Sequence, residues 1–253
     1  MTAHHPPYEA LTETLRRLRL PAFAMMAEQL VQQDPETASV ILPLLAQMAD
    51  EEQRQRQERR VHRCIKDAQF IRLQTVDSFN FNYNPSTRKL KKRYLQLYHA
   101  DPVKEGVGAI FVGNSGLGKT HLARALGCRY GKRGYKIRFS MTTNILNRLV
   151  AAEATRDLER VTKKLQTPAL LFIDGLAYLS MSQQEANLFF QVISRRHDNN
   201  RPIVVTTNKP FAQWNQVFHG DAIAHAIVDR LTERVEIFHV EGKSYRQTHR
   251  KGL

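Results

Sequence analysis

Two patterns of apolar positions divide the chain into two regions. From Tyr8 to Arg72, apolar residues recur every three or four positions, which is the spacing of helices that bury one face. Pro21 and the stretch 33–35 interrupt this pattern, so several helices are expected there. From about residue 109 onward, short apolar runs alternate with longer helical patterns. The chain is therefore predicted to hold a small all-α domain over residues 1–78 and an α/β domain over residues 79–253.

Five short apolar runs of the second region have the length of buried strands. They cover residues 109–112, 136–140, 169–174, 203–208 and 235–240. Helical patterns lie between them, over residues 121–130, 144–164, 183–197 and 221–231. This alternation predicts a five-stranded sheet flanked by helices.

The first strand leads into a glycine-rich stretch with the spacing of a phosphate-binding loop. The stretch from Gly113 to Thr120 fits the eight-residue motif, and a strand before it and a helix after it provide the required context. Glycine lets the backbone adopt positive φ and approach phosphates, and the N–H groups at the helix start attract an anion. A glycine-rich turn without a ligand is the alternative. The predicted nucleotide-binding residues are Gly113, Asn114, Ser115, Gly116, Leu117, Gly118, Lys119, Thr120 and His121.

Residues in and beyond this loop predict a site for Mg²⁺ and a triphosphate. Lys119 is expected to reach the β and γ phosphates, and the Thr120 hydroxyl to bind the Mg²⁺ that bridges them. Asp174 ends an apolar strand, where its carboxylate can enter the magnesium shell; capping the end of a buried strand is the alternative. Gly175 follows it and cannot act as the general base that polarises the attacking water. The residues thus predict nucleotide binding and leave hydrolysis open.

Two later residues are predicted to act on the γ phosphate. Asn208 follows the fourth strand, and its amide could bond both the γ phosphate and the attacking water; a turn residue before Pro210 is the alternative. The aspartate by which GTPases read guanine is missing after Asn208, so adenine is the expected base. Arg230 is the candidate for an arginine supplied to a neighbouring subunit, with a local ion pair to Asp229 or Glu233 as the alternative. The predicted catalytic residues are thus Lys119, Asp174, Asn208 and Arg230.

The chain is strongly basic, with 38 Lys and Arg residues against 24 Asp and Glu and a formal net charge of +14. This excess indicates a polyanionic partner, first of all nucleic acid, because binding to phosphates releases condensed counterions. A basic surface that serves only solubility is the alternative. No run approaches the ~18 apolar residues of a membrane span, and the N-terminus lacks the apolar stretch of a signal peptide. A cytoplasmic protein without a membrane partner is therefore expected.

Basic residues concentrate in two stretches with helical spacing. In the stretch 51–72, acidic residues lie among the arginines, so this helix either follows a phosphate backbone or is a solvated face with i,i+4 ion pairs. Between residues 88 and 98, Tyr94 and Tyr98 are interleaved with Lys and Arg. This second stretch is another candidate for contact with nucleic acid, unless its tyrosines pack against their own domain. The residues predicted to contact DNA are Arg54, Arg56, Arg59, Arg60, Arg63 and Lys66.

From Asn84 onward the sequence resembles the IstB-type ATPases, the AAA+ helper proteins of bacterial insertion-sequence transposition, which are relatives of the DnaC helicase loaders. The resemblance rests on the phosphate-binding loop, the strand 170–174 and several shorter motifs. These motifs are Ser194-Arg195-Arg196, Thr207-Asn208-Lys209-Pro210-Phe211 with Trp214, Asp229-Arg230-Leu231 and Ser244-Tyr245-Arg246. The N-terminal region, with Leu18-Arg19-Leu20-Pro21, is similar to the small helical domain of that family.

This resemblance implies an AAA+ fold with a doubly wound parallel sheet, and a homo-oligomer whose ATP sites are completed at subunit interfaces. It implies ATP and Mg²⁺ as cofactors, assembly on double-stranded DNA, and recruitment and stimulation of a cognate transposase. The metal aspartate of the family falls on Asp174, its phosphate sensor on Asn208 and its trans-acting arginine on Arg230. Gly175 departs from the family, which usually has Asp or Glu there, so slow or absent hydrolysis is expected.

Two other functions are alternatives to a transposition helper. A DnaC-like replicative helicase loader would grip a helicase through the N-terminal domain and meet single-stranded DNA. A metabolic P-loop kinase is disfavoured by the position of the fifth strand, by Asn208 and by the basic excess.

Overall fold

The structure is a computed structural model of the 253-residue chain and describes residues 6–68, 74–218 and 220–245. It divides the chain into two compact units, Met1–His62 and Arg63–Leu253. The predicted division at 78/79 therefore falls inside the second unit. The physical reason is local, because the ring of His121 bonds the Thr75 carbonyl and the Ser78 hydroxyl and so holds this segment within that unit.

Helices make up the first unit, as the apolar spacing predicted. They are α1 (Pro6–Arg17), α2 (Pro21–Gln33) and α3 (Pro35–Asp67), the last of which continues past the end of the unit. Proline begins each of them, a position where its missing N–H and fixed φ cost nothing. Leu11, Leu15 and Leu18 pack with Ala24 and Ala49 to form the core of this unit. Arg72, the predicted end of the helical region, lies outside the described residues.

The second unit alternates helices and strands. Its helices are α4 (Pro85–His99), α5 (Pro102–Glu105), α6 (Lys119–Lys132), α7 (Thr142–Ala154), α8 (Leu158–Gln166), α9 (Gln183–Asp198) and α10 (Asp221–Thr232). Its strands are β1 (Gly108–Val112), β2 (Ile137–Met141), β3 (Leu170–Leu176), β4 (Ile203–Thr207) and β5 (Val235–His239), and a 3₁₀ helix spans Phe211–Gln216. All five predicted strands are confirmed.

These strands form one parallel sheet in the order β2-β3-β4-β1-β5. In this order β4 lies between β3 and β1, with Thr206 opposite Phe111 and Thr207 opposite Val112. The strand order thus brings the carboxyl ends of β1, β3 and β4 together at one edge, where open α/β sheets bind ligands.

Apolar residues cover both faces of the sheet. Successive side chains of β1 alternate between the faces, so Ile110 belongs to one core cluster while Ala109 and Phe111 belong to the other. The ring of Phe111 stacks on that of Phe238 in the neighbouring β5, with centroids 5.0 Å apart. Burial on both faces explains why β1 and β4 read as continuous apolar runs and not as alternating ones.

A buried arginine joins the segments that lead into β3 and β4. Arg196 on α9 has no exposed surface, and its guanidinium donates to the carbonyls of Leu165 at 2.8 Å, Pro168 at 3.1 Å and Pro202 at 2.9 Å. Burial lowers the pKa of Arg196 to about 9, and the side chain is protonated at neutral pH. These bonds hold the starts of β3 and β4 beside each other. They thereby help to set the position of the carboxyl end of β3 relative to that of β4.

Within the described ranges, every helix is too short or too polar to cross a lipid bilayer.

Candidate nucleotide-binding site

A cleft of about 740 Å³ opens at the carboxyl ends of the central strands. The phosphate-binding loop forms its floor, and the ends of β3 and β4 form one wall. The segment before α4 forms the opposite wall, together with Tyr245. Of the predicted site residues, the cleft is lined by Ser115, Gly116, Leu117, Gly118, Lys119, Thr120, His121, Asp174 and Asn208.

Three glycines of the loop have the positive φ that the motif predicted, at +149° for Gly113, +81° for Gly116 and +89° for Gly118. Each is also crowded by other segments of the chain. A Cβ on Gly113 would lie 1.9 Å from the Val240 carbonyl oxygen, and one on Gly118 would lie 2.5 Å from the Phe79 ring. Glycine is therefore required here both for the backbone conformation and for the close approach of these segments to the loop.

Lys119 begins α6 and is nearly buried, with 9% of its surface exposed. Its ammonium donates a 2.7 Å hydrogen bond to the Asn114 carbonyl, so the charge lies within the curve of the loop. A cation held there, beside the N-terminus of a 14-residue helix, is placed to attract phosphate oxygens.

Asp174 sits at the centre of a network of hydroxyl groups. Its Oδ1 accepts hydrogen bonds from the Thr120 hydroxyl at 2.7 Å and from the Thr206 hydroxyl at 2.6 Å. The Thr206 oxygen in turn accepts the backbone N–H of Gly175 at 2.9 Å. The sequence predicted that Thr120 and Asp174 belong to the site, but it missed Thr206. The only signal for Thr206 was a polar residue at the second-to-last position of an apolar strand.

Gly175 occupies a bulge in β3. Its φ is +75°, and the pairing of β3 with β4 shifts register between Ile173 and Leu176. No heavy atom lies within 4 Å of a Cβ built at this position, so the backbone conformation is what favours glycine here. Asp174 is the only carboxylate among the described residues that line the cleft. Glu185, the next acidic residue along the chain, bonds the backbone N–H of Ser182 in a capping box at the start of α9.

Asn208 follows the last residue of β4 and lines the cleft. Its Oδ1 is buried and has no hydrogen-bond partner among the described residues. Buried amide oxygens are nearly always bonded, so an unpartnered one that faces a cleft is suited to a ligand or a water molecule. An amide oxygen accepts hydrogen bonds, so this atom suits a donor such as a water molecule, whereas contact with the γ phosphate would use the Nδ2 group. The γ-phosphate role of Asn208 stays a prediction.

Aromatic side chains from two distant segments close the other side of the cleft. The ring of Phe79 packs edge-on against His121, with centroids 5.2 Å apart, and Tyr83 packs edge-on against Tyr245 at 5.0 Å. The backbone N–H of Tyr245 donates to the Gly116 carbonyl at 3.0 Å. No signal in the sequence pointed to this wall, because residues 79–85 and Tyr245 meet only in the folded chain.

Arg230 lies away from this cleft. It lines a small pocket with Gly108 and Ile203, the residues that begin β1 and β4, at the opposite end of the sheet. Its guanidinium lies 4.9 Å from the centroid of Phe190 and donates to the Ala226 carbonyl at 3.2 Å. Glu233 pairs with His197 and Arg234. Within the described residues Arg230 forms no ion pair with Asp229 or Glu233, the alternative that the sequence left open.

The arginines of α3 are engaged in local ion pairs. Arg54 pairs with Glu51 at 2.7 Å and with Glu58 at 2.6 Å, and Arg56 pairs with Glu52 at 2.6 Å. The hydrogen bonds from Arg54 hold the pKa of Glu51 at about 2, so this carboxylate stays ionised at neutral pH. Arg59 also approaches Glu52. Arg60, Arg63 and Lys66 lie further along the helix with exposed side chains. Arg54, Arg56 and Arg59, of the residues predicted to contact DNA, thus form the local ion pairs that a solvated helix face was predicted to carry.

A family model described as IstB-like ATP binding protein matches residues 13–252. The chain belongs to this family. An insertion sequence ATP-binding protein from Sinorhizobium fredii is 32% identical to it, over 92% of this chain and 78% of the relative. The insertion sequence IS5376 ATP-binding protein from Geobacillus stearothermophilus is 31% identical over 94% of each chain. Membership of the IstB-like family confirms the predicted resemblance and identifies the cleft as that of an ATP-binding family.

Solved structures agree on the fold. A crystal structure of the DnaC helicase loader has a TM-score of 0.59 and 23% identity, over 66% of this chain and 96% of that chain. The crystal structure of DnaI has a TM-score of 0.57 and 18% identity, over 68% of this chain and 90% of that chain. The IstB-like chain therefore has the AAA+ type of P-loop fold that was predicted, with a helical N-terminal region before it.

Proposed function

We propose that the chain is an ATP-dependent helper of insertion-sequence transposition, which assembles on duplex DNA and recruits and stimulates the cognate transposase. The observation that carries the ATP-dependent part is the Thr120–Asp174 hydrogen bond, because it joins the phosphate-binding loop to a carboxylate near the carboxyl end of β3. The insertion sequence ATP-binding proteins among its relatives support the transposition context.

Mg²⁺ is proposed as the metal of the site. The Thr120 hydroxyl and the Asp174 carboxylate supply oxygen atoms, the ligands that Mg²⁺ prefers, and they lie together at the mouth of the loop. Mg²⁺ bound there would neutralise charge on the β and γ phosphates. Thr206 would keep Asp174 oriented toward the metal, since the Thr206 hydroxyl bonds the same carboxylate oxygen as Thr120 does.

ATP is proposed over GTP as the nucleotide. Phe79, Tyr83 and Tyr245 give the cleft the flat apolar surfaces on which a purine packs. Phe211 stands two residues past Lys209, where GTPases have the aspartate that reads guanine.

Assembly through the ATP sites is proposed because Arg230 lies at the wrong end of the sheet to reach its own loop. The five residues of β1 separate the two ends, a length of about 16 Å at ~3.3 Å per residue. An arginine that stabilises the transferring phosphate must then come from a neighbouring subunit. Hydrolysis in such an assembly is proposed to be weak, because Asp174 is the only carboxylate of the described cleft lining.

Duplex DNA is the polymer on which the protein is proposed to assemble, and the net charge of +14 supports this proposal. The test is filter binding to duplex and single-stranded DNA, with and without ATP, over a range of salt concentrations. We expect duplex binding that strengthens with ATP and weakens steeply with salt. Affinity that ignores both nucleotide and salt would overturn the proposal.

A DnaC-like helicase loader is the second candidate function, favoured by the fold likeness to the DnaC helicase loader. Strong preference for single strands, or co-purification with a hexameric helicase, would favour it. Co-elution with a transposase encoded by the same insertion sequence, together with duplex preference, would exclude it.

A further inference from the structure

Among the described helices, α4 carries the largest number of Lys and Arg residues without an Asp or Glu. Its 15 residues include five Lys and Arg and no Asp or Glu. All five side chains are exposed. Arg93 pairs with Glu236 on β5, and Lys91 lies 5.8 Å from the centroid of Phe81. Within the described residues no carboxylate pairs with the remaining three, Arg88, Lys89 and Lys92.

The contrast with α3 is one of charge balance. The segment 50–67 of α3 holds six Lys and Arg but also five Asp and Glu. Its carboxylates already bond Arg54, Arg56 and Arg59. A phosphate backbone would have to displace these ion pairs on α3, whereas it would meet Arg88, Lys89 and Lys92 of α4 without that competition.

The opposite face of α4 fixes the direction in which these cations point. Leu90, Tyr94 and Leu97 are buried, and the Tyr94 hydroxyl donates to the Leu122 carbonyl at 3.0 Å. Tyr94 and Tyr98 therefore pack against their own unit, which was the alternative to contact with nucleic acid. Arg88, Lys89 and Lys92 lie at positions i, i+1 and i+4, over about 6 Å of helix axis, and so form one outward cationic face.

The start of α4 is also tied to the phosphate-binding loop by residues 240–245, which we call the β5 extension. Asn84 accepts the Lys243 N–H at 3.0 Å and donates to the Lys243 carbonyl at 3.1 Å, and Ser86 accepts the Glu241 N–H at 3.0 Å. The same β5 extension bonds the loop at Gly116 through the N–H of Tyr245. A change in the loop on nucleotide binding can thus be passed to α4 through a short chain of hydrogen bonds, in which the side chains of Asn84 and Ser86 meet the backbone of the β5 extension.

We infer that the outward face of α4, formed by Arg88, Lys89 and Lys92, is a phosphate-backbone contact for nucleic acid that the β5 extension links to the nucleotide site. This inference rests on the proposed function and names its DNA-contacting surface. Direct sequence readout is not expected, because flexible cations on one helix face contact phosphates and leave the bases unread. An anionic lipid surface fits less well, since α4 has its apolar face buried and lacks exposed apolar anchors.

The test compares two triple variants of the full chain. In R88Q/K89Q/K92Q the face is neutralised, and in the control K104Q/K163Q/K164Q three exposed lysines of α5 and α8 are neutralised. Binding to a labelled duplex of random sequence is measured by fluorescence anisotropy with ATP at several salt concentrations. We expect the α4 variant to lose roughly 10-fold or more in affinity, with a salt slope smaller by about 2 to 3. The control is expected to lose far less.

Further measurements separate the possible failures. Unchanged melting temperature and ATP affinity are expected in both variants, because the replaced side chains are exposed and outside the cleft. Wild-type protein that ignores all nucleic acid would overturn the proposed function together with this inference. Wild-type binding that the α4 variant retains in full, but that R54Q/R56Q/R59Q loses, would overturn the α4 surface alone. Loss of binding to phosphatidylserine vesicles with unchanged DNA binding would reassign the surface to a membrane.

Discussion

The Thr120 hydroxyl donates a 2.7 Å hydrogen bond to Oδ1 of Asp174, a residue 54 positions further along the chain. The strand order brings the two residues together: β1 leads into the loop, β3 carries Asp174, and β4 lies between them. Thr206 of β4 completes it from the strand in the middle. This arrangement makes the metal site depend on three strands at once, and the first prediction follows from that dependence.

Thr206→Val removes the hydroxyl that orients Asp174 and leaves the Gly175 N–H without its acceptor. We expect ATP affinity in the presence of Mg²⁺ to fall by about 10-fold, the low end for partners of metal ligands, with little change in affinity in EDTA. Isothermal titration calorimetry with and without Mg²⁺ measures both. Thr206→Ser keeps the hydroxyl and should restore wild-type affinity. Equal losses with and without Mg²⁺ would point to a packing defect instead.

Lys119→Ala should weaken ATP binding by about 100-fold or more, because a nearly buried cation that meets the phosphates is removed. AMP lacks the β and γ phosphates, so its affinity should change little. Lys163→Ala on the exposed face of α8 is the control and should bind both nucleotides normally. If Lys119→Ala bound ATP as tightly as wild type, the loop would not be a phosphate site.

Gly175→Glu supplies the carboxylate that the described cleft lining lacks beyond Asp174. We expect kcat for ATP hydrolysis to rise by on the order of 10²-fold, the lower range for a positioned general base. The backbone φ of +75° should at the same time lower the free energy of unfolding by about 1–2 kcal/mol. Gly175→Ala carries the same backbone cost without the carboxylate, so it should lose stability and gain no activity. A flat kcat in Gly175→Glu would mean that another group already orients the water.

Arg230→Ala should bind ATP normally, since Arg230 does not line the cleft, yet lose roughly 10³-fold in hydrolysis. The decisive measurement mixes this variant with Lys119→Ala. At a mixed interface, the Arg230→Ala subunit supplies an intact phosphate-binding loop and the Lys119→Ala subunit supplies Arg230. These interfaces should therefore recover part of the ATPase activity. Two inactive variants that stay inactive on mixing would contradict an arginine supplied in trans.

Arg196→Met removes the guanidinium that bonds the carbonyls before β3 and β4. Buried carbonyls left without donors should lower the free energy of unfolding by at least ~3 kcal/mol. Arg195→Met, the exposed neighbour on α9, should stay within about 0.5 kcal/mol of wild type. Urea titration followed by circular dichroism measures both, and equal stability of the two variants would exclude the structural role of Arg196.

Several site residues could be predicted because their signals are local. Gly113 to Thr120 form a contiguous motif, and the loop conformation, the buried Lys119 and the following helix all depend on residues within that stretch. Asp174 was predictable because an aspartate at the end of an apolar run marks the carboxyl end of a buried strand. The basic excess is likewise a property of composition alone.

The tertiary structure decided which distant residues meet. Thr206 reaches Asp174 because of the strand order, and Tyr245 bonds Gly116 because the chain returns to the loop after β5. Phe79 contacts Gly118 because the segment before α4 folds against the loop. It also decided that Arg230 lies away from its own cleft. Carboxylates of α3 pair with Arg54, Arg56 and Arg59, whereas none of the described residues pairs with Arg88, Lys89 and Lys92 of α4. A sequence encodes spacing along the chain, whereas hydrogen bonding, burial and charge pairing depend on distance in space, which folding alone determines.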